Sequence, residues 1–264
     1  MKKLKISIKN IIVFIITIII ILILLSLVLT SCSGCKILPV YKSSIKYTTE
    51  EFELKSDEND ENYEIKYIKG EEIVLPKPRL DSDYSLEEAL SKRRSVRDFL
   101  SMEIEIEKIS QILWAAQGIT EKSSGKRTSP SAGALYPIEI FIVKSDGTYH
   151  YMPYEHKLKK ISSKDLRQEL SAASLFQESV LDAALDIVLT AIYERTTVKY
   201  GERGIRYVHM EAGHVCQNIL LTAVTLDLGA VPVGAFEDKA VQLLLGLPSN
   251  FKPLYIIPIG YPED

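Results

Sequence analysis

The N-terminal part of the chain contains an apolar run, Ile11–Leu29, that holds no charged residue, glycine or proline. A helix of this length rises about 28 Å, close to the roughly 30 Å hydrocarbon core of a bilayer. The lysines before the run predict that the N-terminus stays cytoplasmic and that the following chain crosses the membrane. The pattern therefore predicts one N-terminal hydrophobic helix in residues 1–35, and a domain anchored to the membrane on its extracytoplasmic side.

The end of the run leaves two interpretations open. The sequence Leu29-Thr30-Ser31-Cys32 resembles a lipobox, in which the cysteine is lipidated and becomes the new N-terminus. Secretory signals usually have a shorter apolar region of roughly 7–15 residues, which favours a retained anchor instead. Residues 1–35 are thus either a membrane anchor or a lipoprotein signal.

Residues 36–80 are expected to form an acidic tether. Acidic side chains are dense between Glu50 and Glu64, and such a run is typical of a solvated segment. Pro76 and Pro78 then favour extended backbone and disfavour a helix. Residues 81–264 are therefore predicted to be the compact domain.

Periodicity within the compact domain predicts a mixture of helices and strands. Ser85 and Glu88 form a capping-box pair, and apolar residues recur at helical spacing before Gly118. The predicted helices are 85–95, 106–117, two short ones between 163 and 181, then 206–228 and 237–245. The predicted strands are a hairpin of 138–144 and 148–154, followed by 185–192, 231–234 and 254–259. Together these elements predict an α+β sandwich.

Composition narrows the classes of function. The whole chain has 264 residues and a formal net charge of −3, and its four most N-terminal lysines lie within the leader. The remaining body is therefore more acidic than the whole chain, which argues against nucleic-acid binding because that needs clustered positive charge. Three cysteines do not form a disulfide framework. Cys32 and Cys35 make a single CxxC and Cys216 lies in an apolar stretch, so no metal site is predicted and Cys216 is expected to be a buried thiol.

Four polar or small-residue blocks are candidates for chemistry. Arg93–Phe99 holds three arginines and a serine, which together could grip a phosphate. Ser129–Pro137 and Gly229–Phe236 are rich in small residues that let backbone approach a flat ligand. Lys199–Tyr207 is expected to be a loop in which Lys199 and Tyr200 act as an acid/base pair. For each block taken alone, an ordinary surface or turn remains an equally open interpretation.

Taken together and in order, the blocks resemble the FMN-dependent nitroreductase superfamily. Glu211–Leu220 resembles its central-helix pattern, and the segment from Leu244 to Pro262 resembles its C-terminal signature. The sequence Lys199-Tyr200-Gly201-Glu202-Arg203-Gly204, with the Leu-Tyr-Pro ending of the second block, resembles the SagB-type branch of flavin dehydrogenases, which oxidise thiazoline and oxazoline rings. This resemblance implies a three-layer sandwich with a central, mainly antiparallel sheet.

The resemblance also implies roles for individual residues. Arg93 and Arg94 would hold the phosphate and ribityl end of FMN with Ser95 nearby, and Arg97 would lie at the pyrimidine edge of the ring. The segment of Ser129, Pro130 and Ser131 would pass along the flavin ring. Val233 and Gly234 would offer backbone groups near N5 and O4 of the flavin. Lys199 and Tyr200 would remove a proton from the substrate as hydride leaves to flavin N5.

A homodimer with FMN at its interface is expected, together with a small-molecule or peptide substrate. Two alternatives stay open: an NAD(P)H-dependent nitroreductase or quinone reductase, and a non-catalytic flavin- or ligand-binding lipoprotein. One departure from the family is the lack of Arg or Lys after Lys252, where many members have a basic tail that reaches the phosphate.

Overall fold

The computed structural model describes residues 64–263, which form a layered α+β domain. Its central sheet has eight strands among these residues, in the order β1-β7-β6-β5-β8-β10-β2, with β9 pairing on β10. All of its strand pairs are antiparallel. The strands of this sheet are β1 Glu72–Val74, β2 Phe99–Leu100, β5 Ile138–Lys144, β6 Gly147–Met152, β7 Lys157–Ser162, β8 Leu185–Ala191, β9 Gly229–Ala230 and β10 Lys252–Pro262. A separate two-stranded ribbon consists of β3 Ile119–Glu121 and β4 Lys126–Arg127.

Helices cover both faces of the sheet. They are α1 Leu86–Lys92, α2 Ile106–Gln117, α3 Arg167–Ala173, α4 Glu178–Asp182, α5 Glu194–Tyr200, α6 Arg203–Thr225 and α7 Asp238–Leu244. The helices α2 and α6 share one apolar core with the sheet, and α3, α4 and α7 share a second core with its other face. The domain is therefore a three-layer sandwich.

The strand β8 shows why the sheet must be covered on both sides. Leu185, Ile187 and Leu189 belong to the core with α2 and α6, whereas Val188 belongs to the opposite core. A strand that buries both sets of side chains is mostly apolar in sequence, and residues 185–192 are apolar except for Asp186 and Thr190. The predicted α+β fold with a central antiparallel sheet is confirmed.

Several predicted elements are found close to their expected positions. The Ser85 hydroxyl accepts a hydrogen bond from the Glu88 amide at 3.0 Å, so it caps α1 as the capping pattern predicts. The predicted hairpin is formed by β5 and β6. Cys216 is a buried free thiol, and burial raises its pKa to about 12.

Several elements were not predicted, among them the short strands β1, β2, β3 and β4. The strand β7 follows the hairpin and pairs with both β6 and β1. The helix α5 was not predicted and includes Lys199 and Tyr200, the first two residues of the expected loop. The helix α6 already begins at Arg203 rather than at residue 206, so it covers the end of that loop. The short strand expected at 231–234 was also misplaced: β9 lies at Gly229–Ala230, and only Val233 makes an isolated bridge to Ile256.

Residues 64–80, which the acidic composition assigned to the tether, pack on the sheet and form a strap across it. The strand β1 pairs with β7, and Leu75 is buried in the core. The Tyr67 hydroxyl hydrogen-bonds His150 Nδ1 at 2.8 Å, and the Ser110 hydroxyl donates to the Pro76 carbonyl at 2.6 Å. The boundary expected at residue 80 is therefore corrected: the fold includes this strap because its alternating apolar side chains face the core.

The predicted N-terminal hydrophobic helix and most of the predicted tether lie outside the described residues. Within residues 64–263, no helix combines the length and the apolar character that crossing a bilayer requires.

The contact between β9 and the first arginine block depends on a glycine. A Cβ atom at Gly229 would lie 2.6 Å from Cγ1 of Val96, well inside van der Waals contact. The Val96 amide donates to the Ala230 carbonyl at 3.1 Å, so the two segments cannot separate without losing a backbone hydrogen bond. Gly229 therefore permits the close approach of these two segments.

We expect Gly229→Ala to lower the free energy of unfolding by about 1–3 kcal/mol, because the added methyl overpacks this contact. Gly213→Ala is the matched control, since Gly213 lies within α6 and a Cβ there meets no atom within 4 Å. That change should be neutral or stabilising by up to about 1 kcal/mol. Denaturant unfolding of both variants tests this, and equal stabilities would contradict it.

Candidate active site

The turn that follows Ser129 has an unusual backbone. Gly133, Ala134 and Tyr136 have φ values of +64°, +54° and +47°, and two of these residues carry a side chain. Left-handed conformations at such positions cost on the order of 1 kcal/mol each and persist only where surrounding contacts hold them. One such contact is the Ser131 hydroxyl, which accepts a hydrogen bond from the Tyr136 amide at 2.9 Å.

Lys199 and Tyr200 reach this turn from the end of α5. The helix ends at Gly201, which has a φ of +55°, so the predicted loop is instead a helix end that holds both side chains. A Cβ atom at Gly133 would lie 2.8 Å from Tyr200 Oη and 3.0 Å from Lys199 Nζ. The second and third sequence blocks therefore come together in the structure, and the glycine makes the approach possible.

A partly exposed ion pair holds α5 against the same turn. Arg195, in the first turn of α5, forms an ion pair with Glu139 of β5 at 2.6 Å and donates to the Tyr136 carbonyl at 3.0 Å. The second oxygen of Glu139 hydrogen-bonds His150 at 2.8 Å. Burial raises the pKa of Glu139, but His150 and Arg195 outweigh this effect and the pKa is lowered overall. Glu139 therefore remains an anion that anchors Arg195.

A cavity of about 260 Å³ opens beside the turn. Its walls come from the turn and from one face of α6: Pro130, Ser131, Ala132, Tyr207, Met210, Glu211 and His214. The rings of Tyr200 and Tyr207 contact edge to face, with centroids 5.2 Å apart. Because of this contact, Tyr200 adjoins the wall of the cavity.

Glu211 is a functional candidate that the sequence analysis quoted only as part of a helix pattern. Its side chain lines the cavity although the residue is only 2% exposed, and Oε1 has no hydrogen-bond partner among residues 64–263. Burial raises its pKa to about 7, an effect that Ser131, Gln117 and Arg127 only partly oppose. The available signal was an acidic residue on the helix face that also carries Val208, Ala212 and Val215.

Two of the residues predicted to contact the cofactor have polar groups that bond within the protein. Ser129 is fully buried, and its hydroxyl donates to the Ala116 carbonyl and accepts from Asn218 Nδ2. The Val233 amide donates to the Ile256 carbonyl at 2.8 Å, and its own carbonyl accepts from the Ile256 amide. Both groups are thus engaged within the protein, whereas Pro130, Ser131 and Gly234 lie at the surface or in the cavity wall.

The first and fourth blocks meet at a second place. Ser95 bridges to Ala230, which sets the arginine segment beside β9. Arg94 donates through Nη1 to the carbonyls of Ser91 and Arg93, so part of its guanidinium is committed to the end of α1. Arg93 and Arg97 have no ion-pair partner among the described residues, which leaves both guanidinium groups available to an anion.

Distance along α6 separates this arginine cluster from the cavity. The Leu228 amide donates to the Ala223 carbonyl, which places the start of β9 beside the last turns of α6. Glu211 lies twelve residues before Ala223, equivalent to about 18 Å of helix. Within residues 64–263, no group of three or more histidine, cysteine, aspartate or glutamate side chains is placed to hold a metal ion.

The fold is a three-layer sandwich around an antiparallel sheet, with Lys199 and Tyr200 near a cavity, and the comparisons with known proteins give its class. The family model described as the Nitroreductase family matches residues 90–261. The chain belongs to the Nitroreductase family and is an oxidoreductase.

Similar proteins support this assignment. A nitroreductase-family protein of Methanocaldococcus jannaschii is 41% identical over 197 residues, covering 72% of this chain and 98% of that protein. The crystal structure of a nitroreductase-family protein from Ralstonia eutropha matches with a TM-score of 0.68 and 26% identity, over 76% of this chain and 96% of that one.

A second group of relatives consists of processing proteins. The microcin B17-processing protein McbC of Escherichia coli is 31% identical over 54% of this chain and 57% of its own length. The structure of the E. coli microcin synthetase McbBCD complex with truncated pro-MccB17 bound matches with a TM-score of 0.60 and 25% identity, over 80% of this chain and 82% of that one.

The raised pKa of Glu211 predicts a pH dependence of stability. Between its ordinary value of 4.5 and about 7, the folded chain keeps a proton on Glu211 that the unfolded chain has released. The contribution of the protonated Glu211 side chain to the free energy of unfolding is therefore complete below about pH 4.5. It is lost as pH rises through 7, and the loss is up to about 3 kcal/mol. Glu211→Gln cannot ionise, so its stability relative to the parent chain should increase between pH 5 and pH 8.

Denaturant unfolding at both pH values measures this difference. Glu169→Gln, at an exposed position of α3, is the control and should keep the pH dependence of the parent chain. An unchanged pH dependence in Glu211→Gln would contradict the prediction.

Proposed function

We propose that this oxidoreductase is an FMN-dependent dehydrogenase of SagB type, acting on a small-molecule or peptide substrate. The observation that carries the proposal is the convergence of Lys199 Nζ and Tyr200 Oη on Gly133, at the edge of the cavity. Lys199 and Tyr200 belong to the motif that resembles the SagB-type branch, and Gly133 belongs to the turn that resembles the wider family. The two motifs therefore lie side by side. The likeness to McbC and to the peptide-bound microcin synthetase complex supports a cyclised peptide as the substrate class.

The residues present fit FMN. Arg93 and Arg97 offer guanidinium groups without ion-pair partners in the described part of the chain, and guanidinium forks suit phosphate and an anionic ring edge. Gly234 is exposed and a Cβ there would meet no atom, so a flat ligand could approach its backbone. The proposed binding set is Arg93, Arg94, Ser95, Arg97, Pro130, Ser131 and Gly234.

When bound, FMN would supply the hydride acceptor at N5, and the chain's own residues would orient the substrate and move its proton. Lys199 and Tyr200 are the proposed groups for proton removal, since both carry exchangeable protons at the edge of the cavity. Arg195 holds the helix that carries them, and the turn at Gly133 sets their distance from the cavity.

The proposal includes a homodimer. Val198, Ile205 and Met210 are exposed apolar residues on α5 and α6 around the cavity, and adjacent exposed apolar side chains are typical of an interface. The separation between the arginine cluster and the cavity fits a site to which one protomer contributes the arginines and its partner the turn. We also propose that the domain is held on the extracytoplasmic side of the membrane by residues 1–35, on the evidence of the apolar run and its preceding lysines.

The full chain, extracted from membranes with detergent, should carry the absorption bands of oxidised flavin. Anaerobic titration with NADH and NADPH then separates two enzymes, because a dehydrogenase of SagB type should keep its flavin oxidised and an NAD(P)H-dependent nitroreductase should lose the bands. A colourless chain that takes up no added FMN would contradict the proposal, and recovery of the chain only in the soluble fraction would contradict the location.

Lys199→Ala and Tyr200→Phe should each lower the rate of substrate oxidation by about 10²–10⁴-fold, because each removes a proton-transferring group. Both variants should keep their flavin, since neither residue is in the proposed phosphate or ring-binding set. Lys239→Ala is the control, because Lys239 is an exposed lysine on α7. Unchanged turnover in both site variants would indicate a chain that binds flavin without using these residues.

A further inference from the structure

Glu211 is the one acidic side chain in the wall of the cavity, and the proposed function has not used it. It is almost fully buried, and Oε1 lacks a hydrogen-bond partner within the described chain. An unpartnered buried carboxyl oxygen is costly in a folded protein unless it meets a ligand or water. The position therefore indicates a function other than packing.

The groups around Glu211 come from several elements. Arg127 of β4 acts on it electrostatically, while Gln117 of α2 and Ser131 of the turn interact with its carboxyl group. Tyr207 and His214 of α6 share the cavity wall with it. Lys199 and Tyr200 of α5 lie at the edge of the turn. Burial has the largest effect on its pKa and raises it to about 7, so the carboxyl exchanges a proton near neutral pH.

The helix places Glu211 in line with the proposed proton-removing pair. Tyr207 and Glu211 are four residues apart and therefore lie one above the other on the same face of α6. Tyr207 in turn contacts the ring of Tyr200. Since a water molecule takes about 30 Å³ of liquid volume, the cavity also has room for a small ring and for waters that carry a proton across it.

We propose that Glu211 is the terminal proton acceptor of this cavity, and that its unpartnered Oε1 receives the proton that the substrate releases. The inference rests on the proposed dehydrogenase function and assigns the end of its proton path. Lys199 and Tyr200 take the proton from the substrate, and Glu211 receives it at its own position in the cavity wall.

The balance of the reaction is simple. Two C–H bonds on adjacent ring atoms break: one hydrogen leaves with its electron pair as hydride to FMN, and the other leaves as a proton. The electron pair of the second C–H bond forms the new double bond of the oxidised ring. The substrate loses two electrons, FMN gains two, and the Glu211 carboxylate becomes a carboxylic acid. Release of that proton to solvent restores the carboxylate.

The test is the rate of flavin reduction by substrate as a function of pH, with a synthetic thiazoline peptide as the probe. In the parent chain the rate should rise as pH increases through about 7, because only ionised Glu211 accepts a proton. Glu211→Gln should lose this pH dependence and be slower by about 10²–10⁴-fold. Glu211→Asp, which keeps an ionisable group, should retain a pH dependence, and Glu169→Gln on α3 should behave as the parent chain does.

An infrared titration provides a readout that does not depend on turnover. The parent chain, with or without flavin, should show a protonated carboxyl band that disappears near pH 7 and that is absent from Glu211→Gln. A flavin-loaded Glu211→Gln that keeps the pH dependence of the rate would overturn the inference alone. A chain that binds no flavin would instead overturn the proposed dehydrogenase, and the inference with it.

Discussion

The ion pair between Glu139 and Arg195 connects the scaffold to the candidate site. Glu139 belongs to a central strand of the sheet, and its carboxylate binds both Arg195 and His150. Arg195 belongs to the helix that ends with Lys199 and Tyr200, and it also holds the Tyr136 carbonyl of the turn. The pair is only partly withdrawn from water, so its desolvation cost is smaller than that of a fully buried pair, and its additional hydrogen bonds help to offset it. Here the pair fixes the positions of the strand β5, the helix α5 and the turn at Tyr136 relative to one another. The approach of Lys199 and Tyr200 to Gly133 depends on that arrangement.

Much of the fold could be predicted because its central elements have clear patterns. The mostly apolar sequence of residues 185–192 favours a strand covered on both faces, and the Ser85–Glu88 pair marks the start of a helix. The helix α5 was missed because the glycines at 201 and 204 suggest a loop, whereas Gly201 caps the end of α5 and Gly204 lies in the first turn of α6. The strand β7 was missed because three of its six residues are lysines, and its pairing with β1 depends on a segment distant in sequence.

The candidate site was predicted in part, for reasons that concern individual atoms. The approach of Lys199 and Tyr200 to the Pro130–Pro137 turn agrees with the expectation that both serve one site. Ser129 and Val233 match a family pattern, but their polar groups are already bonded within the protein, which a pattern of residue types cannot reveal. Glu211 was not predicted as a site residue because the sequence shows only one acidic residue on an otherwise apolar helix face. Its burial and the missing hydrogen-bond partner of Oε1, which make it a candidate, are visible only in the structure.

The strap of residues 64–80 has a mechanical consequence. The described chain enters the fold through this segment, and its strand β1 forms one edge of the sheet while β2, next to the arginine block, forms the other. Seven strands at about 4.8 Å spacing put the two edges nearly 30 Å apart. Tension applied from the N-terminal side would therefore load the three-residue pairing of β1 and the contacts of Tyr67 and Pro76 first. The strap could peel away under load while the core strands and the cavity keep their geometry.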